Sequence, residues 1–211
     1  MSSRLARHRF GSLRVATPLA LPGQRIGVLG GSFNPPHEGH LAISRTAIRR
    51  LALDRLWWVV TPGNPLKSPH GLPPLAERMA ACRRLAADPR IEVTGFEAEL
   101  GSPYTAVTLA FLTSRFPRTR FVWVMGADNL AAFHRWQTWR AIASLMPIAI
   151  IDRPGWRLAA LASPAARALQ RWRVSDRHAA RLARARPPAW AFLDTRLSGL
   201  SSTQIRVQRQ R

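Results

Sequence analysis

The sequence predicts an α/β fold, a doubly wound and mainly parallel sheet with helices on both faces. Three observations carry this. Short apolar runs alternate with stretches of helical period; the first run ends in paired glycines, as a strand does where it hands over to a phosphate-type loop; and 211 residues with 46% apolar content suffice for one domain with a sizeable core. Strands alternating with helices imply parallel pairing through right-handed crossovers.

The first 24 residues hold Arg4, Arg7, Arg9 and Arg14 and no acid. They read as a basic, disordered extension, with Pro18, Pro22 and Gly23 marking the start of a single domain over 25–211. Arg25 to Gly30 is a buried first strand. The next segment turns helical, with Leu41, Ile48 and Leu51 on one face and Asn34-Pro35-Pro36 as its opening. Leu56 to Val60 is a second strand, left through the loop Thr61-Pro62-Gly63-Asn64-Pro65. A helix over 75–87, a strand at 91–94, a helix over 105–115 and a strand at 121–125 continue the alternation. A helix over 139–144, strands at 147–151 and 189–193, and a last helix after Ser202 complete it. Trp156 to Pro188 is atypical, with eight arginines, ten alanines and one acid, Asp176. Its helical propensity lacks a clean apolar stripe, so it reads as a basic excursion at the surface and a contact site in a homo-oligomer.

The formal charge is +21 and Lys67 is the only lysine among 32 basic residues. Such a charge first points to a phosphate-bearing partner. The arginines are spread along the whole chain, however, and are not interleaved with an aromatic platform, which disfavours a dedicated nucleic-acid site. No segment approaches the roughly 18 apolar residues of a membrane span. A lone cysteine, Cys82, forms no internal disulfide and suits the reducing cytoplasm.

Chemistry is expected at the end of the first strand, because ligands of open parallel sheets bind outside the carboxyl ends of the strands. There the chain reads Gly30-Gly31-Ser32-Phe33-Asn34-Pro35-Pro36-His37-Glu38-Gly39-His40. Glycines let a backbone approach a phosphate, and the following helix offers unpaired N–H groups and a positive dipole end. His37 and His40, three apart, fall on one face of a first helical turn, where both imidazoles aim at one anion. Zinc is the weaker reading, since the spacing is not that of a zincin helix and no third ligand follows. The glycine spacing of a dinucleotide fingerprint and the lysine of a Walker loop are both missing.

This glycine, phenylalanine, proline and His-x-Gly-His pattern resembles that of the adenylyltransferase and cytidylyltransferase superfamily, whose fold is Rossmann-like. Near the other end, Ser201-Ser202-Thr203-Gln204-Ile205-Arg206 is similar to the superfamily's Ser-Ser-Thr-x-Ile-Arg element. Ser202 or Thr203 suits a helix cap, and Arg206 adds a charged fork. Three middle segments resemble nicotinate mononucleotide adenylyltransferases: Thr61-Pro62-Gly63-Asn64-Pro65-Leu66-Lys67, Ser102-Pro103-Tyr104-Thr105, and Gly126-Ala127-Asp128-Asn129-Leu130 with Phe133 and Trp136. The likeness runs from about Arg25 to Arg206.

The resemblance implies transfer of the adenylyl group of ATP to nicotinate mononucleotide, with magnesium carried on the triphosphate. It implies that Gly30, Gly31, Ser32, Phe33, His37, Gly39, His40, Ser201, Ser202, Thr203 and Arg206 bind ATP, with His37, His40 and Arg206 catalytic. Tyr104 and Trp136 would hold the pyridine ring, the backbone N–H of Thr105 its carboxylate, and Lys67 a phosphate, while Asp128 would hold a ribose or help orient the mononucleotide. Asn34, where many relatives carry aspartate, would keep local hydrogen bonding without a negative charge. The competing readings are an adenylyltransferase for nicotinamide mononucleotide or phosphopantetheine, and a basic RNA-binding protein with an inactive nucleotide fold. The last predicts salt-dependent RNA affinity and no pyrophosphate release.

Overall fold

The computed structural model describes residues 15–63 and 72–194. Its centre is a six-stranded sheet in the order β3-β2-β1-β4-β5-β6, with every neighbouring pair parallel. The strands are β1 (Arg25–Gly31), β2 (Arg55–Val60), β3 (Ile91–Thr94), β4 (Arg120–Gly126), β5 (Ile148–Ile151) and β6 (Trp190–Leu193). The chain winds outward from β1 in one direction and then in the other from β4. The order therefore reverses between these two strands, which is where open parallel sheets take their ligands, in the crevice outside the carboxyl ends.

Alternate residues of each strand feed two cores. Ile26, Val28, Trp57, Val59, Trp123, Met125, Ile148 and Phe192 face helices α3 (Thr105–Arg115), α4 (Ala127–Ala132) and α5 (Trp139–Leu145). Leu29, Leu56, Trp58, Val60, Val124, Ile151 and Leu193 face α1 (Glu38–Arg50) and α2 (Leu75–Leu85). Burial on both faces explains why β2 reads as an unbroken apolar run rather than an alternating one. Trp57 and Trp58 are wholly buried. The Trp57 indole N–H has no partner among the described residues, at about 1–3 kcal/mol, but burying ~200 Å² of ring contributes roughly 5 kcal/mol, so the packing wins.

The sheet and most expected helices stand where the sequence placed them. Differences fall in three places. The prolines at 35 and 36 precede α1 without opening it, because His37 takes the capping position in extended conformation (φ −153°, ψ 169°). A short helix, α4, follows β4 directly; its six residues are too few to show a period.

The stretch from Trp156 to Pro188 is no surface excursion. It forms α6 (Arg157–Leu161), α7 (Pro164–Ala168) and 3₁₀ turns, and wraps the β6 edge. Ala160, Ala165, Ala166 and Leu169 enter one core, and Ala179, Leu182 and Ala183 the other. Alanines supply the inward contacts and arginines the outward face. Helices this short, switching sides of the sheet, cannot display one continuous stripe.

Of the expected basic extension, residues 15–24 are described. Val15 and Ala20 pack against the core, and the N–H of Gly23 donates to the Arg118 carbonyl at 2.7 Å. Among the described residues, no helix is long and apolar enough to cross a membrane.

A Cβ on Gly30 would lie 2.5 Å from Cη2 of Trp123, an indole held in the core. Gly30→Ala is expected to destabilise the fold by about 1–3 kcal/mol through overpacking, measurable as a lowered denaturation midpoint; an unchanged midpoint would show that Trp123 yields freely.

Candidate active site

The carboxyl ends of β1 and β4 form the floor of the crevice. Glycine stands at or beside each strand end because of its neighbours: Trp123 occupies the Cβ space of Gly30, the penultimate residue of β1, and a Cβ on Gly126 would meet the Asp128 carboxylate and lie 2.9 Å from Cδ of Arg153. Beyond β1 the chain turns through Phe33 at φ +46°, a left-handed conformation that costs a non-glycine residue about 1–2 kcal/mol. Two contacts oppose that cost. The Phe33 ring is buried and stacks on Trp58 with centroids 5.1 Å apart, and it lies 4.6 Å from the His40 ring. A ligand above this loop can therefore meet the backbone of Phe33 but not its ring.

His37 and His40 form a reciprocal cap at the start of α1. The Gly39 N–H donates to Nδ1 of His37 at 3.0 Å, and the His37 N–H donates to Nδ1 of His40 at 3.2 Å. With Nδ1 accepting in each ring, the proton of the neutral imidazole resides on Nε2. The rings lie 4.1 Å apart, so both Nε2–H groups belong to one small region. Behind them, Trp58 donates its indole N–H to Ser44, and Ser44 donates its hydroxyl to the His40 carbonyl, each at 2.7 Å.

This corrects two expectations. His37 is the capping residue, not a member of the first helical turn. The helix start also does not keep all its N–H groups for an anion, since those of Gly39 and His40 are already taken, by the His37 ring and the His37 carbonyl. The imidazoles relay the positive end of the helix outward. A bond received at Nδ1 polarises the ring and strengthens donation from Nε2.

Both histidines are held neutral. Burial, assisted by the charge of Arg153, lowers His37 from the ordinary 6.5 to about 4. Burial, then His37 and Arg153, lowers His40 to about 3.

Arg153, two residues past β5, carries no signal in the sequence beyond its place, a cation just after the end of the strand that pairs with β4. Nη1 of Arg153 donates to Oδ2 of Asp128 at 2.8 Å, while Oδ1 of Asp128 is buried without a hydrogen-bond partner among the described residues. Asp128 therefore lies at the β4 end of the crevice with one oxygen uncommitted.

The pyridine-ring candidates lie at the start of α3 and just after the 3₁₀ turn that follows α4. Tyr104 is exposed and precedes α3, whose first helical residue is Thr105; by its place in the first turn, the Thr105 N–H has no partner within the helix. Trp136 is only partly buried, set edge-on to Phe133 at 5.5 Å. It is neither wholly core nor free. Asn34 and Ser32 lie in the loop between β1 and α1. Lys67, Ser201, Ser202, Thr203 and Arg206, with the expected terminal helix, lie outside the described residues.

Residues 28–208 match the cytidylyltransferase-like family model. The chain is 58% identical over 182 residues to "Probable nicotinate-nucleotide adenylyltransferase" of Bradyrhizobium sp. (strain ORS 278), covering 86% of this chain and 95% of the relative. It is 56% identical to the protein of the same name from Rhizobium meliloti (strain 1021), covering 86% and 96%. In structure it is similar to Plasmodium falciparum nicotinic acid mononucleotide adenylyltransferase complexed with NaAD, at a TM-score of 0.66 and 16% identity, covering 87% of this chain and 83% of that one. At that identity the likeness speaks for the fold alone.

The lowered histidine values give a signed pH dependence. Between 6.5 and about 4 the unfolded chain binds protons that the folded imidazoles do not, so stability falls as pH drops through that window. Long-range ¹H–¹⁵N spectra at pH 6 should show both rings as neutral Nε2–H tautomers; either one titrating near 6.5 would contradict the cap geometry.

Proposed function

Because the chain belongs to the cytidylyltransferase-like family and, within it, to the nicotinate-nucleotide adenylyltransferases, we infer that it transfers the adenylyl group of ATP to nicotinate mononucleotide, forming nicotinate adenine dinucleotide and pyrophosphate in NAD biosynthesis. The observation that carries the mechanism is the pair of Nε2–H donors capped at the carboxyl end of β1. In the reaction, an oxygen of the mononucleotide phosphate attacks the α-phosphorus of ATP in line. The bond to the β-phosphate oxygen breaks and pyrophosphate leaves. The nucleophile is already anionic, so no protein base is required, and catalysis rests on positioning and on charge stabilisation at the phosphoryl oxygens.

In our reading His37 and His40 donate to those oxygens as neutral groups. A neutral donor whose proton is fixed on Nε2 needs no reorientation when charge builds up, which is what a preorganised site requires. The loop of Gly30, Gly31, Ser32 and Phe33 offers backbone to the triphosphate, with Gly39 leaving room beside the rings. Ser201, Ser202, Thr203 and Arg206 are proposed to complete the ATP site on the strength of the motif.

Arg153 adds positive potential near both rings. Tyr104 and Trp136 are proposed to sandwich the pyridine, with the Thr105 N–H on the carboxylate at the positive end of α3. The uncommitted Oδ1 of Asp128 suits a ribose hydroxyl, and Lys67 and Asn34 remain candidates for the mononucleotide. Magnesium arrives on the triphosphate. The imidazole and guanidinium groups around the crevice suit phosphate oxygens rather than the cation, so substrate oxygens are the fitting ligands for the ion. Cys82 is buried, its thiol pushed up to about 12 by burial, which supports reading it as an inert packing residue in a cytoplasmic enzyme.

His37→Asn and His40→Asn keep an acceptor for the backbone N–H while deleting the Nε2 donor. Each is expected to lower kcat about a hundred- to thousandfold, roughly 2.7–4 kcal/mol, with little change in melting temperature. Turnover preserved in both variants would remove the histidines from the mechanism. Pyrophosphate release with nicotinate mononucleotide, nicotinamide mononucleotide or phosphopantetheine as acceptor tests the substrate: the nicotinate form should be strongly preferred, and equal rates with the amide would discard the proposed role of Thr105.

A further inference from the structure

Arg78, on α2, is 3% exposed and forms no ion pair with any carboxylate among the described residues. A buried guanidinium is expensive unless its hydrogens are satisfied. Among the described residues its acceptors are backbone carbonyls, which take four of its five N–H hydrogens. Nε donates to Pro73 at 2.9 Å, one Nη1 donates to both Ser32 and Thr61 at 2.8 Å each, and Nη2 reaches Pro62 at 3.4 Å. Ser32 belongs to the loop after β1, which bears the histidines; Thr61 and Pro62 belong to the loop after β2. A single planar fork thus ties together the two loops that leave the carboxyl edge on this side of the crevice.

The contacts also fix which way those loops face. In a trans peptide the C=O and the following N–H point in opposite directions. With the Ser32 and Pro62 carbonyls drawn to Arg78, the N–H groups of Phe33 and Gly63 are turned away from it. From the other side, the Thr61 hydroxyl donates to the Gly63 carbonyl at 2.7 Å and lies against the buried Glu97 carboxyl. Thr108 in α3 donates to the same carboxyl at 2.5 Å.

We propose that Arg78 is a positioning residue that sets the spacing and peptide orientation of the loops after β1 and β2, so that two substrate phosphates are presented to each other in line. This rests on the reading that these loops hold the nucleotides. Lysine cannot substitute, because a point ammonium with three donors does not span four carbonyls of three segments. Unpaired with any carboxylate among the described residues, Arg78 also places its charge directly behind the loop, where it favours anions.

The test is steady-state kinetics of full-length Arg78→Lys and Arg78→Met with ATP and nicotinate mononucleotide, at a temperature where both are folded by circular dichroism. Both variants should lose tenfold or more in kcat, with kcat/KM reduced for both substrates. A role in stability alone would lower the melting temperature and leave kcat and both KM values of the folded enzyme within twofold of the parent, which would overturn the proposal. Should neither variant fold, hydrogen exchange on the parent decides. A non-hydrolysable ATP analogue bound alone should slow exchange at the Thr61 and Gly63 amides, and unchanged exchange there would sink the coupling. Absence of turnover in the parent would instead discard the functional reading itself.

Discussion

The reciprocal hydrogen bonds between two imidazoles and the backbone at the start of α1 are the constraint from which the rest of the site follows. They convert the donors of a helix terminus, which point along the axis, into side-chain donors displaced toward the crevice. They fix the tautomer, and with burial and Arg153 they keep both rings neutral at physiological pH. Phosphate chemistry is commonly associated with cationic side chains. In the site as proposed, the innermost donors are uncharged, and the cations stand behind or beside them.

That arrangement requires an unusually rigid support. Trp58, fully buried in β2, holds Phe33 by stacking and reaches His40 through Ser44. Phe33 in turn sustains a left-handed backbone that brings the loop back over β1. The glycines at the two strand ends serve the same end from below. They admit Trp123 and the Asp128–Arg153 pair into the space a side chain would fill, so the floor of the crevice is packed core and not an open trough.

The charge of the chain takes on structure only when the buried arginines are separated from the exposed ones. Most of the arginines after Trp156 point outward from an alanine-lined wrap and say little about chemistry. Arg78 and Arg153 are different in kind, since each is drawn into the carboxyl edge of the sheet and engaged there by carbonyls or by Asp128. Composition alone counts all of them equally.

The sequence by itself determined the order and kind of the elements and the chemistry of the first loop. Apolar runs such as Leu56 to Val60 need burial on both faces, and Gly-Gly followed by His-x-Gly-His leaves few other uses for a strand end. It did not determine the capping role of His37, because N-cap geometry depends on which ring nitrogen the backbone finds. Nor did it reveal that Ala160, Ala179 and their neighbours are core, since segments of five to nine residues that change sides of the sheet leave no period to read. Arg78 and Arg153 were decided by tertiary structure alone. A buried arginine acquires its meaning from carbonyls and carboxylates brought to it by distant parts of the chain, and sequence spacing encodes neither their distance nor their direction.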